Sequence, residues 1–119
     1  MKKTLVIGAS LKPSRYSNLA IHRLVEKGHA VEGIGLRIGK VAGISIIRLK
    51  EYIKDIDTVT LYLNPKRHPE YYEYIVSLHP KRVIFNPGTE NPEFYKILRD
   101  NNIEVDVACT LVLLGTNQY

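Results

Sequence analysis

Short apolar runs begin near residues 4, 30, 58, 82 and 104, and most of the gaps between them carry a helical pattern. No other feature constrains the chain as much. Thr4–Gly8, Ala30–Gly35, Thr58–Leu63, Arg82–Asn86 and Glu104–Val107 are short, rich in β-branched side chains and bounded by turn residues, as buried strands are. Between the first two, Ala20, Ile21, Leu24 and Val25 share one face of a helix over about Ser17–Lys27, and Gly28 supplies its stop. Pro69 opens a second helix, with Tyr71, Tyr72, Ile75 and Val76 on one face. Asn91 and Pro92 are a cap and a first-turn proline ahead of Phe94, Ile97 and Leu98. Strands joined by crossover helices pair in parallel, so the expected fold class is α/β. The expected architecture is one doubly wound domain over residues 1–119, with a mainly parallel sheet of five or six strands and helices on both faces. Val41–Ile47 would supply the sixth strand, and Leu49–Ile53 a short helix.

Composition narrows the function classes. At 119 residues, 45% hydrophobic and 24% charged, the chain is an ordinary globular one with room for a single real core. Cys109 is the only cysteine, which rules out an intramolecular disulfide and a cysteine-based metal cluster. No apolar run approaches the roughly 18 residues of a membrane span, and the run after Lys3 is too short for a signal-peptide core. A cytoplasmic protein with no membrane partner is therefore expected. Seventeen Lys and Arg against twelve Asp and Glu give a net charge of +5, which favours anionic partners. The cations are dispersed, without a polybasic tail or a base-reading motif, so nucleic acid is not the expected partner.

Ligands of open parallel sheets bind beyond the carboxyl ends of the strands, where the strand order reverses. Four loops deserve inspection on that ground. The first, Gly8 to Ser17, opens like a dinucleotide fingerprint but has Ser10 at the second glycine and no third glycine. Gly8 and Ala9 still permit a tight turn. Ser10, Ser14 and Ser17 offer hydroxyls, and Lys12 and Arg15 offer cations at the start of the following helix, the ingredients of a phosphate cradle. The plainer account is a strand-to-helix turn with solvated basic residues. After the second strand, Gly35-Leu36-Arg37 places a cation where NAD-binding proteins usually carry Asp or Glu. Arg37 is either a solvated charge or the partner of an extra ribose phosphate, which would favour NADP or coenzyme A. In the third loop, Leu63, Asn64 and Pro65 lead into Lys66-Arg67-His68-Pro69, a stiff turn with an amide at the strand end. In the fourth, Pro87 and Gly88 follow Asn86, and Gly88 can turn successive amides towards a ligand.

Catalytic constellations are missing: no nucleophile elbow, no Walker lysine and no metal-ligand spacing around His22, His29, His68 or His79. Each histidine is expected at the surface. Cys109 reads as a small core cysteine, with a reactive thiol as the minority view. Thr110–Gly115 is apolar on all sides, a buried strand or helix or a patch covered by a second subunit. With Tyr71, Tyr72 and Tyr74, of which one or two should be exposed, it leaves room for a homodimer.

Val6 to Ser10 followed by Pro13 to Ser17, the Asn64-Pro65 turn, Asn86 to Thr89 and the Ala108-Cys109 region together resemble the small single-domain CoA-binding proteins. Those share a Rossmann-like fold with the CoA-binding domain of the succinyl-CoA synthetase α subunit. The resemblance implies binding of coenzyme A or an acyl-CoA, a small-molecule ligand, without catalysis of its own. Its phosphates would meet Gly8, Ser10, Lys12, Arg15 and Ser17, and Arg37 would meet the adenosine 3′-phosphate. Leu63, Asn64, Pro65, Pro87 and Gly88 would line the adenine and pantetheine sides. The family commonly has an Asn-Pro-Lys-like sequence after the second strand; Gly35-Leu36-Arg37 keeps the cation and lacks the proline. Synthetase activity does not carry over, because its phosphohistidine and nucleotide parts lie outside the comparable segment. Two alternatives stay open: an NADP-dependent oxidoreductase or nucleotide-binding subunit, and a protein-interaction subunit with a vestigial pocket.

Overall fold

Thr4–Ile7 becomes strand β1 at the centre of the sheet and is buried along its whole length in the computed structural model, which describes Met1–Tyr119. A strand covered on both faces needs no polar alternation. Leu5 and Ile7 enter one core and Val6 the other. The chain continues through α1 (Tyr16–Glu26), β2 (Val31–Ile34), β3 (Gly39–Val41), β4 (Ile44–Ile47) and β5 (Thr58–Leu61). A 3₁₀ stretch over Pro65–Tyr71 runs into α2 (Tyr72–Leu78). Then come β6 (Arg82–Phe85), α3 (Pro92–Asp100), β7 (Glu104–Val107) and α4 (Thr110–Gly115). The strand order is β3-β4-β2-β1-β5-β6-β7, and every neighbouring pair is parallel except β3 and β4.

Two layers of helix close the sheet. On one face α2 and α3 bury Ile75, Phe94 and Leu98 against Leu5, Leu61 and Phe85. On the other, Ile21 and Leu24 of α1 and Leu114 of α4 pack on Val6, Val31 and Ile46. α1 follows its apolar spacing, with Ala20, Ile21 and Leu24 at 0% exposure. No helix is long and apolar enough to cross a membrane.

The sheet has seven strands, not five or six. The extra pair is a hairpin: Ala42 and Gly43 both take positive φ, 51° and 79°, the left-handed pair that a two-residue turn between antiparallel strands requires. Its second strand, β4, pairs in parallel with β2 through Gly33–Ile46 and Ile34–Ile47. Leu49–Ile53 forms no helix; Leu49 and Tyr52 are exposed, so no apolar face holds so short a segment in place. Regular α-helix begins at Tyr72 rather than Pro69, because two prolines within five residues remove the amides an α-helix needs there and leave a 3₁₀ stretch. Thr110–Gly115 is a helix with Thr110 and Leu114 buried and Val112 exposed. Within the cluster Tyr71, Tyr72 and Tyr74, the first is buried and the other two are half-buried, so none of the three is exposed.

From β1 the chain winds outward through β2 to β4, then returns to β5 on the other side of β1. The loops after β1 and β5 diverge at this reversal and leave a crevice between them.

Candidate functional site

Close backbone approach shapes the first wall of that crevice. Gly8 has φ +91°, and a Cβ there would lie 2.8 Å from the Tyr62 carbonyl carbon, so only glycine fits. The amides of Gly8 and Ala9 both donate to the Ile34 carbonyl at 2.9 Å, which fastens the loop to the end of β2. Gly35 completes the fit: a Cβ there would meet the Ala9 carbonyl oxygen at 2.1 Å. Asn18, which sequence reasoning passed over, holds the far side. Buried in the first turn of α1, it donates from Nδ2 to the Ser10 carbonyl at 2.9 Å.

What the loop leaves free matters more for chemistry. The amides of Ser10 and Leu11 donate to no protein group. Ser10 Oγ accepts from the Lys12 amide at 3.1 Å and keeps its own proton to donate. Arg15 stands at the N-cap of α1 without a side-chain capping bond; its carbonyl accepts from the Asn18 amide at 3.1 Å, while the Tyr16 and Ser17 amides donate to no protein group.

The residues that carry these groups line a cavity of about 570 Å³, within the usual range of small-molecule sites. From the first loop it takes Gly8, Ala9, Ser10, Lys12, Arg15 and Ser17; from the second, Gly35 and Arg37. Leu63 and Asn64 line it after β5, and Pro87 and Gly88 after β6. Pro65 does not line it; this residue opens the 3₁₀ stretch. Leu11, Tyr16, Arg67 and Thr89 also line the cavity and lay within loops already of interest. Tyr62 and Tyr71 line it too, but in the sequence they were indistinguishable from the strand and helix patterns around them.

The electrostatics are one-sided. Lys12, Arg15, Arg37 and Arg67 line the cavity and no carboxylate does. The first three make no ion pair, whereas Arg67 pairs with Glu70 at 2.9 Å. A recess walled by unpaired cations concentrates anions. On the opposite wall, Asn64 Oδ1 accepts from the Lys66 amide at 2.9 Å, which leaves its NH₂ to donate. Gly88 has the positive φ expected of it, +91°. Its amide, however, donates to both oxygens of Glu90, at 3.0 and 3.2 Å, instead of waiting for a ligand. Asn86, fully buried, anchors this loop by donating to Thr60 Oγ1 and the Leu61 carbonyl and accepting from the Thr110 amide.

The histidines depart from expectation at one place. His22 and His79 are exposed and His29 is half-buried, but His68 is completely buried. Burial also pushes the Tyr62 and Tyr71 hydroxyls up from the ordinary tyrosine value, so neither ionises readily at the cavity wall. Cys109 is half-buried at the N-cap of α4 and outside the cavity. No cluster of His, Cys, Asp or Glu converges to hold a metal ion.

None of the curated proteins matches the chain. Among solved structures, the crystal structure of an uncharacterized protein is 49% identical, covers 100% of this chain and 98% of its own, and gives a TM-score of 0.97. A hypothetical protein from Pyrococcus horikoshii is 25% identical, with coverages of 98% and 83% and a TM-score of 0.87. The dinucleotide-forming acetyl-coenzyme A synthetase 1 of Candidatus Korarchaeum cryptofilum, solved with phosphate and ADP, matches 87% of this chain through 25% of its own. Its TM-score is 0.71 and its identity 14%, a likeness of fold alone. These neighbours share the Rossmann-like arrangement, and the family that matches residues 2–115 extends across both walls of the cavity. The chain belongs to the CoA binding domain family.

Proposed function

We propose that the cavity holds coenzyme A or an acyl-CoA, with the diphosphate on the loop from Gly8 to Ser17, and that the protein binds this ligand without transforming it. The amides of Ser10 and Leu11 would donate to the diphosphate oxygens, supported by the Ser10 and Ser17 hydroxyls and the Lys12 and Arg15 cations. Arg37 would meet the 3′-phosphate. Leu63, Asn64, Pro87 and Gly88 would run along the adenine and pantetheine sides, where the free NH₂ of Asn64 suits an amide carbonyl. One observation carries this reading. Three cations without ion pairs and two amides without acceptors meet on a carboxylate-free cavity at the strand reversal. The lining contains no imidazole, thiol or carboxylate, so binding rather than acid–base chemistry is the activity proposed.

Calorimetric titration with CoA and with NADP tests it. One CoA per chain should bind, more tightly than NADP. NADP binding as tight as CoA would transfer the site to a nicotinamide cofactor. If neither raises the melting temperature at about millimolar concentration, the pocket is vestigial, since a ligand selective for the folded state must stabilise it.

A further inference from the structure

His68 sits at 0% exposure between two walls of the cavity without lining it. Its Nε2 lies 3.0 Å from the Leu63 carbonyl oxygen and its Nδ1 3.0 Å from Asn91 Nδ2. A carbonyl oxygen only accepts, so Nε2 carries the proton; an amide nitrogen only donates, so Nδ1 is bare. The Asn91 amide cannot turn over to suit a different tautomer. Its Oδ1 accepts from the Phe94 amide at 3.1 Å, which caps α3, and its Nδ2 also donates to the Tyr72 hydroxyl at 3.0 Å. Leu63 belongs to the wall after β5, and Asn91 ends the loop that carries Pro87, Gly88 and Thr89 after β6. One imidazole therefore ties two walls together.

We propose that neutral His68 is a positioning residue, a brace between the loops after β5 and β6, and that its protonation loosens both loops and weakens ligand binding. A proton on Nδ1 would set one N–H against the Asn91 N–H. Nothing nearby could compensate. The groups facing the ring are Phe85 from β6, Phe94 and Asn91 from α3 and its cap, Tyr72 from α2 through Asn91, and the Leu63 backbone. None is charged, and the Tyr72 hydroxyl is the only titratable one. Burial holds His68 below the ordinary histidine value of 6.5. The brace is thus whole above that value and is lost as the pH falls below it.

The loop half of this proposal is tested on the free protein, and only the ligand half rests on CoA occupying the cavity. In an NMR titration, the amide signals of Leu63, Asn64, Gly88 and Thr89 should move together with a midpoint below pH 6.5. Asn91→Asp keeps a cap for α3 and offers an acceptor to the protonated ring, so the midpoint should rise above 6.5. His68→Gln should abolish the titration. His29→Gln should not, because His29 precedes β2 at the opposite end of the sheet. Loop amides that do not titrate, or a midpoint unmoved in Asn91→Asp, overturn the brace. In the ligand half, CoA affinity should fall between about pH 7.5 and 5 by roughly tenfold more in the wild type than in Asn91→Asp. Ionisation of CoA itself cancels in that ratio, and equal falls overturn the proposal. If the loops titrate as stated and CoA does not bind at any pH, the brace stands and the CoA assignment alone falls.

Discussion

Removing one phosphate from the proposed ligand, CoA, would separate the roles of the two cationic loops. Arg37 follows β2, while Lys12 and Arg15 lie in the loop after β1; all three are exposed and unpaired. Truncating Arg15 or Arg37 to alanine uncovers no core and breaks no ion pair, so stability should hold within about 0.5 kcal/mol. A well-formed hydrogen bond to a charged group contributes about 1.5–3 kcal/mol. Side chains this exposed are screened by water and salt, which brings the expectation down to about 1 kcal/mol, or roughly fivefold in Kd. Calorimetry with CoA and with 3′-dephospho-CoA then gives a four-cornered cycle for each arginine. Arg37→Ala should weaken CoA about fivefold and leave 3′-dephospho-CoA unchanged. Arg15→Ala should weaken both by a similar factor, because both carry the diphosphate. Each loss should shrink as ionic strength rises towards about 1 M, where the screening length falls to about 3 Å. If Arg37→Ala weakens the two ligands equally, or Arg15→Ala spares 3′-dephospho-CoA, the phosphates have been assigned to the wrong loops.

Four further outcomes follow from the same geometry. Gly8→Ala combines φ +91° with a Cβ 2.8 Å from the Tyr62 carbonyl carbon, and urea unfolding should show a loss of at least about 2 kcal/mol. Asn86→Ala strands the buried Thr110 amide and Leu61 carbonyl, and should cost about 3 kcal/mol by the same measurement. His29 and His68 are both held below 6.5 chiefly by burial, so the unfolded chain takes up the extra protons; stability should be full above that value and decline as pH falls through it, visible as a falling melting temperature. Glu90→Gln removes a negative charge beside the cavity loop while leaving an acceptor for the Gly88 amide. CoA should bind about twofold tighter at low salt and no tighter at high salt, as calorimetry at two ionic strengths would report.

The fold was legible because its strands are buried on both faces. Thr4–Ile7, Thr58–Leu61 and Arg82–Phe85 stand out as short runs rich in apolar and β-branched residues, each buried throughout, and their spacing implies the crossovers. The hairpin of β3 and β4 lacks that mark. Its strands have only three and four residues, with Lys40 and Ser45 exposed, and the turn between them depends on Ala42 adopting a left-handed conformation that alanine seldom takes. The burial of His68 is hidden in the sequence for a different reason. A histidine between an arginine and a proline looks solvated; its burial follows from Phe85 and Phe94 converging from distant parts of the chain.

The loops that line the cavity were legible in the sequence, but their free hydrogen-bonding groups were not, and those bear most on what the cavity could bind. Gly8, Ala9, Ser10 and Leu11 present four successive amides that the sequence cannot tell apart. Parallel register places the Ile34 carbonyl where it takes the first two, and the other two are left over. Gly88 has the conformation of an anion-binding turn, yet an acid two residues later already fills it. An anion drawn into this cavity therefore meets open donors on the β1 side and an occupied one on the β6 side. For the CoA ligand proposed above, that asymmetry would set a direction, phosphates towards α1 and the uncharged arm towards Asn64 and Pro87. A loop composition alone would have left either orientation equally acceptable.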